Sequence, residues 1–414
     1  MEKYFFDWKE YTLENGFKIV SIKKDTELCS IQLGIDVGAV NEEENEKGLC
    51  HFIEHMLFKG TKSRTNIDID QDLEDRAGSY NAYTTYTSTV FSITALFQEF
   101  DPSIEILSDI IKNSTFPSEE IEKERGVILA EFRNSYDDVE HFSFNKVNSI
   151  GFEKSPLRYD ILGKESIIKN VTRNEIMSFY NKYYIPNNTV ISIVSPLEHE
   201  EVLEKVKGYF SHWQGKELMK KDVIVEKNRG IEVTSRKKEI EQNTIVYLYT
   251  FYSLTRDEEL ALEILNHKLG ESANSILFRA LREEKGISYD IYSEIDVTDY
   301  MKTLYIYCSA SEDDILEAKK TIDNCIENIV GKHIMIDERN INLMKKVMKT
   351  GIASILEDSE GLCNYALHQK LMKRKIDGFS EDLEALDNIK AEDVYKAAEK
   401  VLSNPTIHIL VNQG

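Results

Sequence analysis

The chain carries little that would break or stiffen it, with 6 prolines and 19 glycines in 414 residues. That excludes long Pro- or Gly-rich linkers and low-complexity tracts. No apolar run approaches 18 residues, so no membrane-spanning helix is expected. The stretch Met1 to Lys9 includes acids and lacks the apolar centre of a secretory signal. It also lacks the arginines of a mitochondrial presequence, and the expected compartment is the cytoplasm. The five cysteines (Cys29, Cys50, Cys308, Cys325, Cys363) are odd in number, scattered and without metal-ligand spacing. Buried reduced thiols are the expectation. Cys50 adjoins His51, yet on a helix it points about 100° away and is not expected to be a ligand. Positive charge is also short: 51 Lys and Arg against 73 Asp and Glu leave a formal charge of −22. Phosphate binding needs a basic surface, so nucleic acid is not expected as a partner. The acidity suits attraction of cationic peptides, and mere solubility explains it equally well.

Hydrophobic residues at 41% and charged residues at 30% describe a globular protein. Its length exceeds one ordinary core, and two or more domains are expected. A faint repeat supports two. The first half reads as strand (17–22), strand (30–37), a helix near His51, then helix (172–184) and strand (189–194). The second half reads as strand (244–251), helix (257–270), and finally helix (391–402) and strand (406–411). Alternation in Ile245-Val246-Tyr247-Leu248-Tyr249 and in Thr406-Ile407-His408-Ile409-Leu410 is β-like. Thr244 lies 214 residues after Ser30, and Thr406 lies 217 after Thr189. Offsets that agree from opposite ends predict a duplicated domain. Helices are also expected over 313–330, 337–356 and 359–373. Between the halves, 214–230 is polar with glycine at each end and reads as a linker, with Val223-Ile224-Val225 strand-like inside it. The expected domains are therefore 1–213 and 231–414, and the segregated strands and helices predict an α+β fold.

The most informative stretch is Gly48-Leu49-Cys50-His51-Phe52-Ile53-Glu54-His55-Met56-Leu57-Phe58-Lys59-Gly60-Thr61. His51 and His55 are four apart in a helix-compatible run, so both imidazoles leave one face. Two such nitrogens can hold one zinc ion, and Glu54 beside them could act on a water. The order His-x-x-Glu-His inverts the commoner zinc-protease motif. A helix that happens to carry two histidines is the plain alternative. A second helix is predicted from Pro117-Ser118-Glu119-Glu120 onward, with proline, serine and acids at its start. Catalytic zinc usually keeps three protein ligands and an open fourth position. Glu131 follows the apolar run Val127-Ile128-Leu129, where an unpaired charge would be costly, and is the candidate third ligand. Glu124, seven residues earlier, shares its face. A solvated position is the alternative for each. Shifting His51, Glu54 and His55 by 214 lands on Leu265, Lys268 and Leu269, so the second half has no such site. His267 lacks a partner at helical spacing and His408 sits within a strand; both read as structural.

The Gly-Leu-x-His-Phe-x-Glu-His-Met-x-Phe-Lys-Gly-Thr wording resembles the pitrilysin family, which includes insulin-degrading enzyme and mitochondrial processing peptidase. Further blocks match in order: Gly78-Ser79-Tyr80-Asn81-Ala82-Tyr83-Thr84, Glu124 to Glu131, and Leu281-Arg282-Glu283-Glu284-Lys285-Gly286-Ile287-Ser288-Tyr289. The Leu162-Gly163 turn and Tyr183-Tyr184-Ile185-Pro186-Asn187-Asn188 extend the match over nearly the whole chain. The resemblance implies two domains of similar α/β fold closing like a clamshell around a chamber. It implies zinc on His51, His55 and Glu131, Glu54 as general base, and Glu124 orienting a ligand histidine. Asn81 and Ala82 are implied to contact an extended peptide added to their strand, as their small and polar neighbours allow. By spacing alone Arg282 and Tyr289 read as a surface arginine and a core tyrosine; the resemblance instead makes them substrate and oxyanion contacts. The expected function is a zinc endopeptidase acting on unfolded peptides or leader sequences. The alternatives are a non-catalytic, chamber-forming partner subunit, which the intact motif disfavours, and a structural zinc protein, which the open fourth position disfavours. A homodimer is expected, with a heterodimer as the alternative.

Overall fold

A computed structural model describes residues 6–413. The start of the stretch read above for a leader, residues 1–5, lies outside the described residues. The strands are β1 (Asp7–Thr12), β2 (Lys18–Lys23), β3 (Leu28–Ile35), β4 (Ser79–Thr84), β5 (Thr89–Leu96), β6 (Thr189–Ser195), β7 (Glu232–Lys237), β8 (Asn243–Thr250), β9 (Ile291–Val297), β10 (Lys302–Ala310) and β11 (Thr406–Asn412). Helices of eight or more residues are α1 (Leu49–Leu57), α2 (Asn66–Glu74), α3 (Phe100–Asn113), α4 (Ser118–Asp137), α5 (Val139–Gly151), α6 (Arg173–Tyr183) and α7 (His199–Phe210). They continue with α8 (Arg256–Asn266), α9 (Ile315–Val330), α10 (Glu338–Glu357), α11 (Ser359–Leu371), α12 (Phe379–Leu386) and α13 (Ala391–Val401). No described helix is long and apolar enough to cross a membrane. The fold is α+β.

The chain forms two compact units, each discontinuous in sequence. One comprises 1–133, 160–222 and 351–378; the other comprises 134–159, 223–350 and 379–414. The first holds a six-stranded sheet in the order β1-β2-β6-β3-β5-β4. Its pairs are antiparallel except β2 with β6. Alternation along β3 divides its faces: Cys29, Ile31, Leu33 and Ile35 enter the large core with Phe52 and Met56 of α1 and Ile104 and Leu107 of α3. Ser30, Gln32 and Gly34 face the other way, onto α11. There a smaller core joins Val20, Val90 and Val190 to Leu362, Ala366 and Leu367. Gly34 lets α11 approach closely, since a Cβ there would lie 2.9 Å from Leu371 Cδ1 and that side chain would have to shift.

The second unit holds a five-stranded sheet in the order β7-β11-β8-β10-β9, antiparallel except β7 with β11. With β2, β6, β3, β5 and β4 placed against β7, β11, β8, β10 and β9, the two orders coincide, which is the duplication read from the offsets. Helix α5, from the first half of the sequence, packs here on β8 and β11, just as α11, from the second half, packs on the first sheet. His408 is wholly buried in β11 with neither ring nitrogen hydrogen-bonded, a packing residue whose burial lowers its pKa to about 4. The segment 214–230 contains no helix or strand. Val223-Ile224-Val225 is therefore not a strand. Ile224 and Val225 are exposed, and no described strand pairs with them. All five cysteines are buried and free.

Candidate metal centre

Helix α1 starts where the backbone makes a tight approach. Gly48, its N-terminal cap, has φ +101°, and a Cβ there would lie 2.4 Å from Leu162 O. Gly163, at φ +86°, is as constrained, with Lys47 O at 2.2 Å from its would-be Cβ. The Leu162-Gly163 turn thus seats the start of the helix. No side chain of the cap residue serves the free N–H groups. Glu42 does so instead: its carboxylate accepts from Gly48 N at 3.0 Å and Cys50 N at 2.7 Å. Burial raises the Glu42 pKa to about 7, against those two N–H groups and Lys47. The apolar stripe of α1 (Leu49, Phe52, Ile53, Met56) is buried, so His51 and His55 are carried on the opposite, half-buried side.

Helix α4 opens after Pro117 with Glu119 and Glu120 in its first turn. Arg125 ties it down through hydrogen bonds to Ile168 O and, at 2.8 Å, Val171 O. This brings Glu131 to the histidines. His51 Nε2 and His55 Nε2 are 3.3 Å apart, and each lies 3.7 Å from a Glu131 oxygen. One ligand atom from each of the three residues falls within 4.8 Å of the others, a set that could hold a metal ion. Cys50 points into the core, away from the set.

Around the three lie the groups that set their charge. Glu124 accepts from His55 Nδ1 at 3.0 Å and pairs with Lys59 Nζ at 3.0 Å. Burial pushes its carboxyl up, but His55 and Lys59 outweigh burial and hold it below the ordinary value. Glu124 is thus buried and doubly partnered, not a solvated surface acid. Burial, with His55 adding, lowers the His51 pKa to about 4. For His55 burial also lowers it, yet Glu124, Glu131 and Glu54 raise it overall. Glu54 is raised by burial, opposed by a hydrogen bond from Thr84 Oγ1 at 2.7 Å to its Oε2.

A cavity of about 290 Å³ adjoins these residues, lined by Glu54, His55, Phe58, Leu73, Asn81 and Ala82 among others. Asn81 and Ala82 lie on β4, the end strand of its sheet, and the first half of β4 is exposed. In the second unit the Arg282 guanidinium stacks 4.4 Å from the Tyr289 ring centroid and donates to Tyr289 O at 3.3 Å. Gly286, at φ +67°, lies between them, and β9 begins at Ile291, two residues after Tyr289. Tyr289 is 69% exposed, so the core position expected from spacing alone is wrong. Sequence alone points to no role for Glu42, Lys59, Thr84 or Arg125. Lys59, Thr84 and Arg125 stand inside the motif blocks, which is the available signal; Glu42 looks like one of a run of solvated acids.

Two family descriptions match the chain: "Insulinase (Peptidase family M16)" over residues 18–165 and "Peptidase M16 inactive domain" over 170–347. Among curated proteins, an uncharacterized zinc protease of Rickettsia felis is 28% identical over 406 residues, covering 96% of each chain. Subunit beta of the mitochondrial-processing peptidase of Caenorhabditis elegans is 26% identical over 365 residues, 85% of this chain and 78% of that protein. Among solved structures, a protease from Helicobacter pylori superposes with a TM-score of 0.91 at 20% identity, over 98% of this chain and 100% of that one. The periplasmic protease PqqL of Escherichia coli gives 0.80 at 19% identity, over 99% of this chain but 48% of that one.

Proposed function

We propose that this chain, which belongs to the insulinase-type M16 peptidase family, is a zinc-dependent endopeptidase for unfolded peptides or leader sequences. The observation that carries the reading is the convergence of His51, His55 and Glu131 beside Glu54. The donor set suits zinc: tetrahedral bonds of about 2.0–2.1 Å put ligand nitrogens roughly 3.3–3.4 Å apart, and the two Nε2 atoms stand at 3.3 Å. When bound, zinc polarises a peptide carbonyl and brings the pKa of a water near neutrality. Glu54 accepts the water's proton on its carboxylate and returns it to the leaving amine. Glu124 holds the His55 ring by its Nδ1, which keeps Nε2 available for the metal.

Asn81 and Ala82 offer the free edge of β4 to an extended substrate, whose backbone adds as a strand. That mode reads backbone, so specificity is broad. Arg282 and Tyr289 supply a substrate contact and an oxyanion donor. The chain works as a homodimer in the cytoplasm.

One set of variants tests the chemistry. Glu54→Gln keeps zinc near one per chain, while peptide cleavage falls by a factor on the order of 10² or more. His51→Ala and Glu131→Gln lose both. In the same assay Tyr289→Phe lowers kcat with zinc retained. A zinc-loaded wild-type chain that cleaves no peptide would instead make it the non-catalytic partner subunit, and cleavage by Glu54→Gln at the wild-type rate would remove the base.

A further inference from the structure

The Glu54 carboxylate is buried, and among the described residues one side chain donates a hydrogen bond to it: Thr84, 2.7 Å from Oε2. A carboxylate withdrawn from water needs such partners, and its rotamer is fixed by the few it has. Thr84 is well placed to fix it, because the end of β4 on which it stands is itself held. In the turn that follows, Thr85 N donates to Ser88 O at 2.8 Å, and Thr85 Oγ1 accepts from Thr87 N at 3.1 Å and Ser88 N at 3.0 Å. The 38–40 segment backs this turn, with Val40 N donating to Tyr86 O at 2.9 Å and Ala39 N to Thr85 O at 3.2 Å. The approach leaves no room for a side chain at Gly38, where a Cβ would lie 2.5 Å from Thr85 O. On the opposite face of β4, the Tyr83 hydroxyl bonds to His368 Nε2 at 2.9 Å, on α11. The far end of the same strand, Ser79 to Asn81, is exposed.

From this we infer that Thr84 is a positioning residue for Glu54. Its hydroxyl holds Oε2, leaves Oε1 as the oxygen that meets the water's proton, and ties the base to the strand on which the peptide is laid. The inference rests on the peptidase reading and adds to it a link between the substrate strand and the base.

Thr84→Val removes the hydroxyl and keeps the shape; Thr84→Ser keeps the hydroxyl. Thr84→Val should lower kcat by about tenfold to a hundredfold, the scale of a displaced reacting group. KM should stay within about twofold, since the hydroxyl is engaged by Glu54 Oε2. Zinc content should not change, and Thr84→Ser should restore most of kcat. A merely packing role predicts the reverse order, with valine tolerated and serine damaging. Should valine prevent folding, Thr84→Ser against Thr84→Ala makes the same comparison, and equal kcat in that pair overturns the inference. Crystals of the zinc-loaded wild type and of Thr84→Val supply a readout free of activity. The Glu54 carboxylate should take one position in the former and shift or spread in the latter; an unmoved carboxylate overturns the inference. A wild-type chain that binds zinc and cleaves nothing ends the peptidase reading, and the crystals still decide the role of Thr84.

Discussion

Glu42 shows at the scale of one residue how this site depends on groups far from the chemistry. It is a buried carboxylate that accepts from Gly48 N and Cys50 N and so caps the helix that carries both histidines. Its folded pKa, about 7, exceeds the ordinary 4.5 because burial opposes the charge. A raised carboxyl pKa means that the folded state holds the proton more tightly than the unfolded chain. Its stabilising contribution is therefore complete below about pH 4.5 and is lost as pH rises through about 7. Glutamine stays neutral throughout. The stability of wild type relative to Glu42→Gln should thus fall between about pH 4.5 and 8, by up to about 3 kcal/mol. Urea unfolding of both proteins across that range checks this, and parallel pH curves would contradict it. The residue also marks what was legible. That His51, His55 and Glu131 come together is legible because helical period is local and the pattern of residue types is restrictive. Glu42 could not: its run, Glu42-Glu43-Glu44, looks like solvated acid, and only the backward turn of the chain onto Gly48 buries it. Thr84 and Glu54 are likewise thirty residues apart and meet only through the sheet.

Elements were legible where the sequence carries a strong period. β3, β6, β8 and β11, and helices α6, α9, α10 and α13, stand within a few residues of the spans expected from pattern. β1, β10 and α5 carry no clear pattern in the sequence. Asp7–Thr12 is polar because it is an exposed edge strand, whereas Lys302–Ala310 is buried on both faces and shows no clean alternation. The reverse error is Val223–Val225, β-branched enough for a strand but with nothing to pair. Exchange of α5 and α11 could not be read either, because a sequence pattern shows that a helix has an apolar side but not which sheet will cover it. The start of α1 is the element-scale feature with the sharpest consequence. Gly48 combines φ +101° with a would-be Cβ 2.4 Å from Leu162 O, so an alanine there meets both backbone strain and a clash. Gly48→Ala should cost about 2 kcal/mol or more and displace the turn at 162–163. Because His51 is three residues on, zinc content should fall with stability. A melting temperature and zinc stoichiometry equal to wild type would show that the helix start can relax.

For the molecule as a whole, the repeat is what organises both structure and expected assembly. Both sheets order their common strands identically, yet the His-x-x-Glu-His motif occurs in one half alone, since the positions equivalent to His51, Glu54 and His55 are Leu265, Lys268 and Leu269. A duplicated fold with one such motif has a second half free of it, and the proposal that Arg282 and Tyr289 serve substrate rests on the motif they stand in. The full chain nevertheless matches only 48% of the periplasmic protease's structure, a single polypeptide about twice as long. A homodimer is the expected assembly, and closed two-fold pairing is the commonest route to a homo-oligomer. A chain with net charge −22 repels its copies at long range, so such pairing must rest on contact at short range and should persist, or tighten, as salt screens that repulsion. Light scattering at micromolar concentration should accordingly give about twice 47.9 kDa, with the larger mass retained in moderate salt. A mass of 47.9 kDa would rule out the homodimer. If that single chain also cleaves peptides with zinc bound, two repeats are sufficient for the chemistry; if it cleaves them only after a second protein is added, the heterodimer replaces the homodimer.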